Sequence, residues 1–307
     1  MNDSVDTAGA RTGSSAGPLT AFAVLALLWG YNWVVMKVAM RYSGPLDFAV
    51  LRAGFGVLLL FLLLIALRAP LKPRHVARTV WLGIFQTTGF VGLISWSLAD
   101  GAAGKSAVLA YTMPFWVIVL GWPFLGERLR GWQWAAVALA FAGLMLVLEV
   151  WDTSGGFVNS MLALGAGASW GVSVVIVKKI PVEGRDELLS MTAWQMLYGF
   201  VPLVTLAVWV PQPPIVWSPA FVAALAYNAV GGMAIATLLW LYILQRLPAT
   251  ISGLSSLIVP IVGVVAAWLQ LGERPTPAEG LGMALILAAL ALVILTGTRP
   301  SASWRSA

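Results

Sequence analysis

Ten apolar runs, each close to twenty residues long, follow one another along this chain and leave it few places to fold other than a membrane. They are read as Leu19 to Ala39, Leu46 to Leu67, Val76 to Leu98, Ala102 to Leu125, Trp132 to Glu149, Phe157 to Ile180, Leu188 to Val210, Phe221 to Leu244, Ala249 to Leu271 and Ala278 to Leu295. A helix of about 20 residues crosses roughly 30 Å of hydrocarbon. Strands in a bilayer would alternate apolar and polar residues with a period of two, and these runs are continuous, so a barrel is excluded. Helices pair their own backbone groups, so a bundle of membrane-spanning helices is the predicted fold. Charge supports this: only 10% of the 307 residues are charged and 60% are hydrophobic, against roughly 25% charged in a soluble domain.

Residues 1–18 are small and polar and read as a disordered tail. They carry no basic n-region, and the first apolar run is long enough to span, so it is expected to stay as a helix rather than be cleaved as a signal. Cysteine is absent, which removes disulfides, thiolate catalysis and cysteine metal sites. Lysine and arginine set the orientation. With the amino terminus inside, the inner segments hold Arg11, Arg68, Lys72, Arg74, Arg78, Arg128, Arg130, Lys178, Lys179, Arg185, Arg246, Arg299 and Arg305. The outer ones hold only Lys37, Arg41, Lys105 and Arg274. Both termini, including the tail 298–307, are therefore predicted to be cytoplasmic. The net charge of +6 is a topology signal and gives no reason to expect a nucleic-acid partner.

Two stretches repeat. Trp29-Gly30 leads to Lys37 and Trp170-Gly171 leads to Lys178 at one offset, pairing helix one with helix six. Pro114 precedes Gly126-Glu127-Arg128 by the spacing that separates Pro260 from Gly272-Glu273-Arg274, pairing helix four with helix nine. The chain is thus read as an all-α membrane protein of ten transmembrane helices in two five-helix repeats, 19–149 and 157–297. Five is odd, so equivalent helices enter from opposite faces and the repeats are inverted, an architecture suited to alternating access.

The Trp-Gly pairs and the two Pro-x11-Gly-Glu-Arg patterns resemble those of the drug/metabolite transporter superfamily, specifically its EamA-type ten-helix carriers. The resemblance runs from about residue 19 to 297 and is nearest to the aromatic and neutral amino acid exporters. It implies a central cavity bounded by helices one to four and six to nine, with five and ten outside, and export as the direction of flux.

Depth along each helix identifies the polar groups near the midplane, where such carriers bind substrate. These are Trp29, Tyr31 and Asn32 in helix one, Gln86, Thr87 and Thr88 in three, Tyr111 and Thr112 in four, Trp170 and Ser173 in six, Tyr227 and Asn228 in eight and Ser255 and Ser256 in nine, and Trp33 is a further tryptophan deep enough to line a pathway. Asn32, Gln86 and Asn228 are equally compatible with plain interhelical hydrogen bonds, and the serines and threonines with bonds to their own helix backbone. Arg52, inside helix two, either contacts a substrate carboxylate, gates, or snorkels to the outer interface. Gln195 in helix seven occupies the matching place, with Trp194 beside it. Pro114 and Pro260 each remove a helical hydrogen bond and are read as hinges or static kinks. Glu127-Arg128 and Glu273-Arg274 read as caps or salt bridges.

An enzyme is disfavoured by inventory: the single histidine, His75, lies in a basic loop, no carboxylates pair at midplane depth, and only a Lys105/Ser106 dyad stays open. No metal or cofactor is expected. No deep acid stands ready for an organic cation, so the expected substrate is a neutral or zwitterionic metabolite such as an aromatic or neutral amino acid. Other metabolites or drugs, and a sensor or lipid-handling role, are the alternatives. The expected setting is a bacterial-type inner membrane, and a monomer is compatible with the sequence.

Overall fold

A computed structural model of the chain describes residues 16–126, 131–148, 156–246 and 258–296, and every regular element among them is a helix. In chain order they are α1 Ala16–Ala39, α2 Pro45–Ala66, α3 Val76–Asp100, α4 Ala103–Leu125, α5 Trp132–Leu148, α6 Phe157–Lys178, α7 Arg185–Trp209, α8 Pro219–Leu244, α9 Ile258–Leu271 and α10 Pro277–Thr296. Seven of these, α1 to α4 and α6 to α8, are long and apolar enough to cross a bilayer; the described apolar stretches of α5, α9 and α10 are shorter. The predicted start at Ala249 and the predicted end at Glu149 lie outside the described residues.

Local chemistry sets the helix ends. Pro45 and Pro219 stand in first turns, where a missing N–H breaks no bond, and the Ser218 hydroxyl accepts from the Phe221 amide at 3.1 Å. Gly126 and Gly272 close α4 and α9 with φ of 70° and 71°, and a Cβ at either would meet nothing within 4 Å. The left-handed backbone, not crowding, is what asks for glycine there.

Three helices depart from the regular rods expected. The middles of α3 and α8, Ile84–Val91 and Tyr227–Ile235, are π-helical. Such wide turns commonly sit at functional sites. In α4 the helix is interrupted at Tyr111 and Thr112 and resumes at Met113. Pro114 therefore lies in the first turn of a new segment rather than in the middle of an intact helix. The carbonyl of Ala110, the one its ring would leave without a donor, faces Gly167 of α6. Pro260 lies on α9, and its side chain is outside the described residues.

The helices pack in two mixed groups. α1 packs on α8 and α9, α6 packs on α3 and α4, and α2 and α7 pack on each other between the groups. α5 and α10 pack chiefly on one another. Backbone approach is closest where α3 crosses α7: a Cβ on Gly83 would lie 2.2 Å from the Gln195 carbonyl, and one on Gly199 2.2 Å from the Gly83 carbonyl. One end of the bundle is basic and holds the α2–α3 and α6–α7 connections, joined by Arg74–Glu187 at 3.0 Å. The opposite end gathers the α1–α2, α3–α4 and α9–α10 connections, where Glu273 accepts from the Gly104 amide at 3.2 Å. Large apolar side chains such as Leu58, Leu62, Val208 and Trp209 cover the outside, as lipid requires and water would penalise.

Candidate functional site

The two Trp-Gly pairs build the centre. A Cβ on Gly30 would lie 2.5 Å from the Val262 side chain of α9, and one on Gly171 would lie 2.5 Å from the Trp116 side chain of α4. Val262 and Trp116 each stand two places after the matching proline, so both glycines seat the same position of a neighbouring helix. The indole rings beside them, Trp29 and Trp170, meet edge to face at 5.3 Å, with Trp240 within 6.0 Å of each and Phe90 4.4 Å from Trp170. The Trp29 indole N–H donates to the Gly232 carbonyl of π-helical α8 at 3.0 Å, whereas the Trp170 N–H is buried without a partner.

Around these rings lies a cavity of about 60 Å3, lined by residues of α1, α2, α3, α4, α6, α7 and α8. That volume admits a few waters, each needing about 10–15 Å3, and falls short of the roughly 300 Å3 at which ligand pockets begin. Of the predicted site residues it brings together Trp29, Asn32, Arg52, Gln86, Tyr111, Trp170 and Gln195. Thr87, the polar neighbour of Gln86, and Trp33, one of the deep tryptophans, line it too, together with Met36, Phe90 and Ile94, which polarity alone does not single out.

Arg52 is 3% exposed. It does not snorkel. Its guanidinium donates to Asn228 Oδ1 at 3.2 Å, Ser95 Oγ at 3.3 Å and Met36 Sδ at 3.0 Å, and sits 5.6 Å from the Phe48 ring centre. All these partners are neutral, Nε has none, and no carboxylate among the described residues pairs with the group. A buried cation left so costs several kcal/mol. Gln86 is buried with both amide atoms unpartnered, and so is Asn32 Oδ1. Gln195, by contrast, accepts from Thr87 Oγ1 at 3.3 Å.

The other predicted residues lie elsewhere. Tyr31 is 40% exposed, with its hydroxyl donating to Gln270 Oε1 at 3.0 Å on the α9 flank. Tyr227 packs edge-on against it and donates to the Leu28 carbonyl at 2.9 Å. Trp194 donates to the Leu71 carbonyl at 2.8 Å, meets Phe61 edge to face at 5.3 Å and lies tilted against Tyr198 at 5.5 Å. Ser173 donates to the Trp170 carbonyl of its own helix at 2.7 Å. Asn228 reaches the site only through Arg52, and Ser255 lies outside the described residues. Lys105 and Ser106 do not form a dyad: Lys105 pairs with Glu279 at 3.5 Å, and the Ser106 hydroxyl meets that of Ser97 at 3.0 Å.

Two lysines at equivalent repeat positions act at opposite ends. Lys37 of α1 donates to the carbonyls of Leu98, Ala99 and Gly101, where α3 ends, at 2.9, 3.4 and 2.7 Å. Lys178 of α6 donates to the Leu244 carbonyl, at the end of α8, at 2.8 Å. A cation at a helix C-terminus is favoured by the last unpaired carbonyls and the dipole. Each lysine here joins one helix group to the other.

Apolar helices clad in exposed hydrocarbon around a buried polar centre define an integral membrane protein. The chain matches the EamA-like transporter family over residues 17–149 and again over 159–295. It belongs to that family of drug/metabolite transporters. It is 28% identical over 283 residues to the uncharacterized transporter YoaV of Bacillus subtilis (strain 168), covering 90% of this chain and 96% of that one. With the probable amino-acid metabolite efflux pump of Escherichia coli (strain K12) it shares 29% over 302 residues, covering 92% and 96%. A solved crystal structure superposes with a TM-score of 0.70 over 94% of this chain and 100% of that chain, at 17% identity, a likeness of fold.

Proposed function

We propose that the chain is a ten-span carrier of two inverted repeats, 19–149 and 157–297, that exports small zwitterionic or neutral metabolites, amino acids first among them, by alternating access. Its setting is a bacterial-type inner membrane with both termini cytoplasmic, so the basic end faces the cytoplasm. Substrate binds in the central cavity between Trp29, Asn32, Arg52, Gln86, Tyr111, Trp170 and Gln195.

The observation that carries this reading is the pair of lysine straps. Lys37 and Lys178 come from the same place in the two halves, yet one joins the helix groups at the opposite end and the other at the basic end. Releasing one while keeping the other opens the cavity to one side at a time, which is what a carrier needs. The cavity chemistry supports the substrate class: indole and methionine walls suit an apolar body, and the unpaired polar atoms suit a charged or polar head. The likeness to a probable amino-acid metabolite efflux pump agrees with it.

Counterflow tests the proposal. Proteoliposomes loaded with unlabelled phenylalanine should take up labelled phenylalanine faster than empty ones, and unlabelled leucine or tyrosine outside should compete. Equal uptake by loaded, unloaded and protein-free vesicles, across a panel of neutral amino acids, would set the amino-acid reading aside.

A further inference from the structure

We propose that Arg52 determines specificity by anchoring a carboxylate of the transported molecule, so that the carrier takes amino acids and other small carboxylic acids and rejects amines that lack the acid. This rests on the carrier reading above and narrows it.

The first reason is charge. The guanidinium lines the cavity, is buried, and has only neutral partners, which take three of its five N–H hydrogens and leave the one at Nε and one at Nη2 unused. A carboxylate meets a guanidinium through parallel charge-assisted hydrogen bonds and would neutralise the one cation that the lining leaves uncompensated. The second is the balance of orphaned groups. Among the residues that line the cavity, Arg52 Nε, the Gln86 amide nitrogen and the Trp170 indole nitrogen are buried without an acceptor, against two oxygens without a donor, those of Asn32 and Gln86. Donors predominate, as an anion requires and an ammonium group does not. The third reason separates a ligand role from a structural one. Gln195 holds the equivalent place on α7, is neutral, and is already bonded to Thr87. The charge of Arg52 therefore has no counterpart in the other half, so the plan shared by the two halves does not call for it. Phe90, Met113, Met196 and Met233 complete an apolar wall for the body of the acid.

The test uses the full chain purified in detergent, with three probes that share one ring: phenylalanine, 3-phenylpropionate and 2-phenylethylamine. Both carboxylates should raise the melting temperature saturably, and the amine should not. Arg52→Met should be at least as stable as the wild type without ligand, because an apolar side chain of similar length removes an unpaired buried charge. It should lose the carboxylate shift, and its KM for phenylalanine in counterflow should rise about tenfold or more, the worth of a charge-assisted hydrogen bond. Arg52→Lys, which keeps the charge, should fold normally and recover part of both. The proposal is overturned if 2-phenylethylamine protects the wild type as well as 3-phenylpropionate. It is equally overturned if Arg52→Met still shifts with carboxylates, or if Arg52→Lys folds normally yet recovers neither the shift nor any of the KM lost in Arg52→Met. Absence of wild-type counterflow would instead defeat the amino-acid carrier reading, while the carboxylate shift and its loss in Arg52→Met would stand or fall alone.

Discussion

Gln86 and Asn228 look alike in the sequence, as amides in the middles of helices, but their environments set them opposite tasks. The Asn228 oxygen accepts from Arg52 and its nitrogen donates to the Ala224 carbonyl at 3.2 Å. Gln86 is equally buried and bonds to nothing. Removing Asn228 leaves a buried guanidinium short of an acceptor, so Asn228→Ala should lower stability by about 1–3 kcal/mol. Gln86→Met replaces two unsatisfied polar atoms by a side chain of similar shape, so it should leave the melting temperature unchanged or raise it. Its transport rate per folded molecule should nevertheless fall severalfold, because the cavity loses a head-group contact. Thermal unfolding and counterflow on the same preparations check both. The face that these residues share was legible in part. Trp29, Asn32, Trp33 and Met36 follow the i, i+3, i+4, i+7 spacing of one helical stripe, and all four line the cavity. Tyr31 is off that stripe by roughly two residues' rotation, about 200° from Trp29, and it points to the flank. Depth and polarity selected it, and periodicity measured from Trp29 would have removed it. Trp194, one residue from Gln195, leaves the cavity for the same reason.

At the scale of the helix, the Trp-Gly pairs work by removing side-chain volume where two helices touch and placing an indole beside the gap. A Cβ at Gly30 or Gly171 would have to displace a Cβ 2.5 Å away, on Val262 or Trp116, rather than a flexible side-chain end. Gly30→Ala and Gly171→Ala should each destabilise the protein by about 1–3 kcal/mol through overpacking, read as lower melting temperatures in detergent. Gly156→Ala is the control, since nothing lies within 4 Å of its would-be Cβ and its φ is −76°. A melting temperature for Gly30→Ala equal to that of the control would show that α9 yields freely at this contact. The long apolar helices were legible because lipid imposes length and hydrophobicity on any crossing segment. The π turns of α3 and α8 and the interruption of α4 were not. Hydropathy averages over a window, and a single extra residue in a turn, or two residues out of helical register at Tyr111 and Thr112, leaves that average untouched. Pro114 marked the place in α4 but not its geometry, because a proline is as much at home in a first turn as at a kink.

At the scale of the whole molecule, hollows of different size lie among the described residues of the two ends. The basic end has hollows of about 550 Å3 beside Lys72, Arg74 and His75 and about 1220 Å3 between α1, α2, α7 and α8, whereas the hollow beside Lys105 and Glu273 at the opposite end is about 40 Å3. Lys37 ties that opposite end shut by holding α1 of one helix group to the last carbonyls of α3 in the other. If the straps set the balance between states, removing one must favour the state that lacks it, by the free energy of its differential contacts. Hydrogen bonds to a charged group are each worth roughly 1.5–3 kcal/mol, so Lys37→Met should shift the population toward opening at that end by about tenfold or more. Lys178→Met should shift it the other way. The chain has no cysteine, and Ala110 lines the cavity, so Ala110→Cys reports access without background. In intact cells an impermeant maleimide should label Ala110→Cys slowly. Labelling should become several-fold faster when Lys37→Met is added and slower when Lys178→Met is added. In inside-out vesicles the order should reverse. Equal acceleration by both substitutions from the same side would mean that the lysines merely stiffen helix ends, and that the two halves do not take turns in closing the cavity.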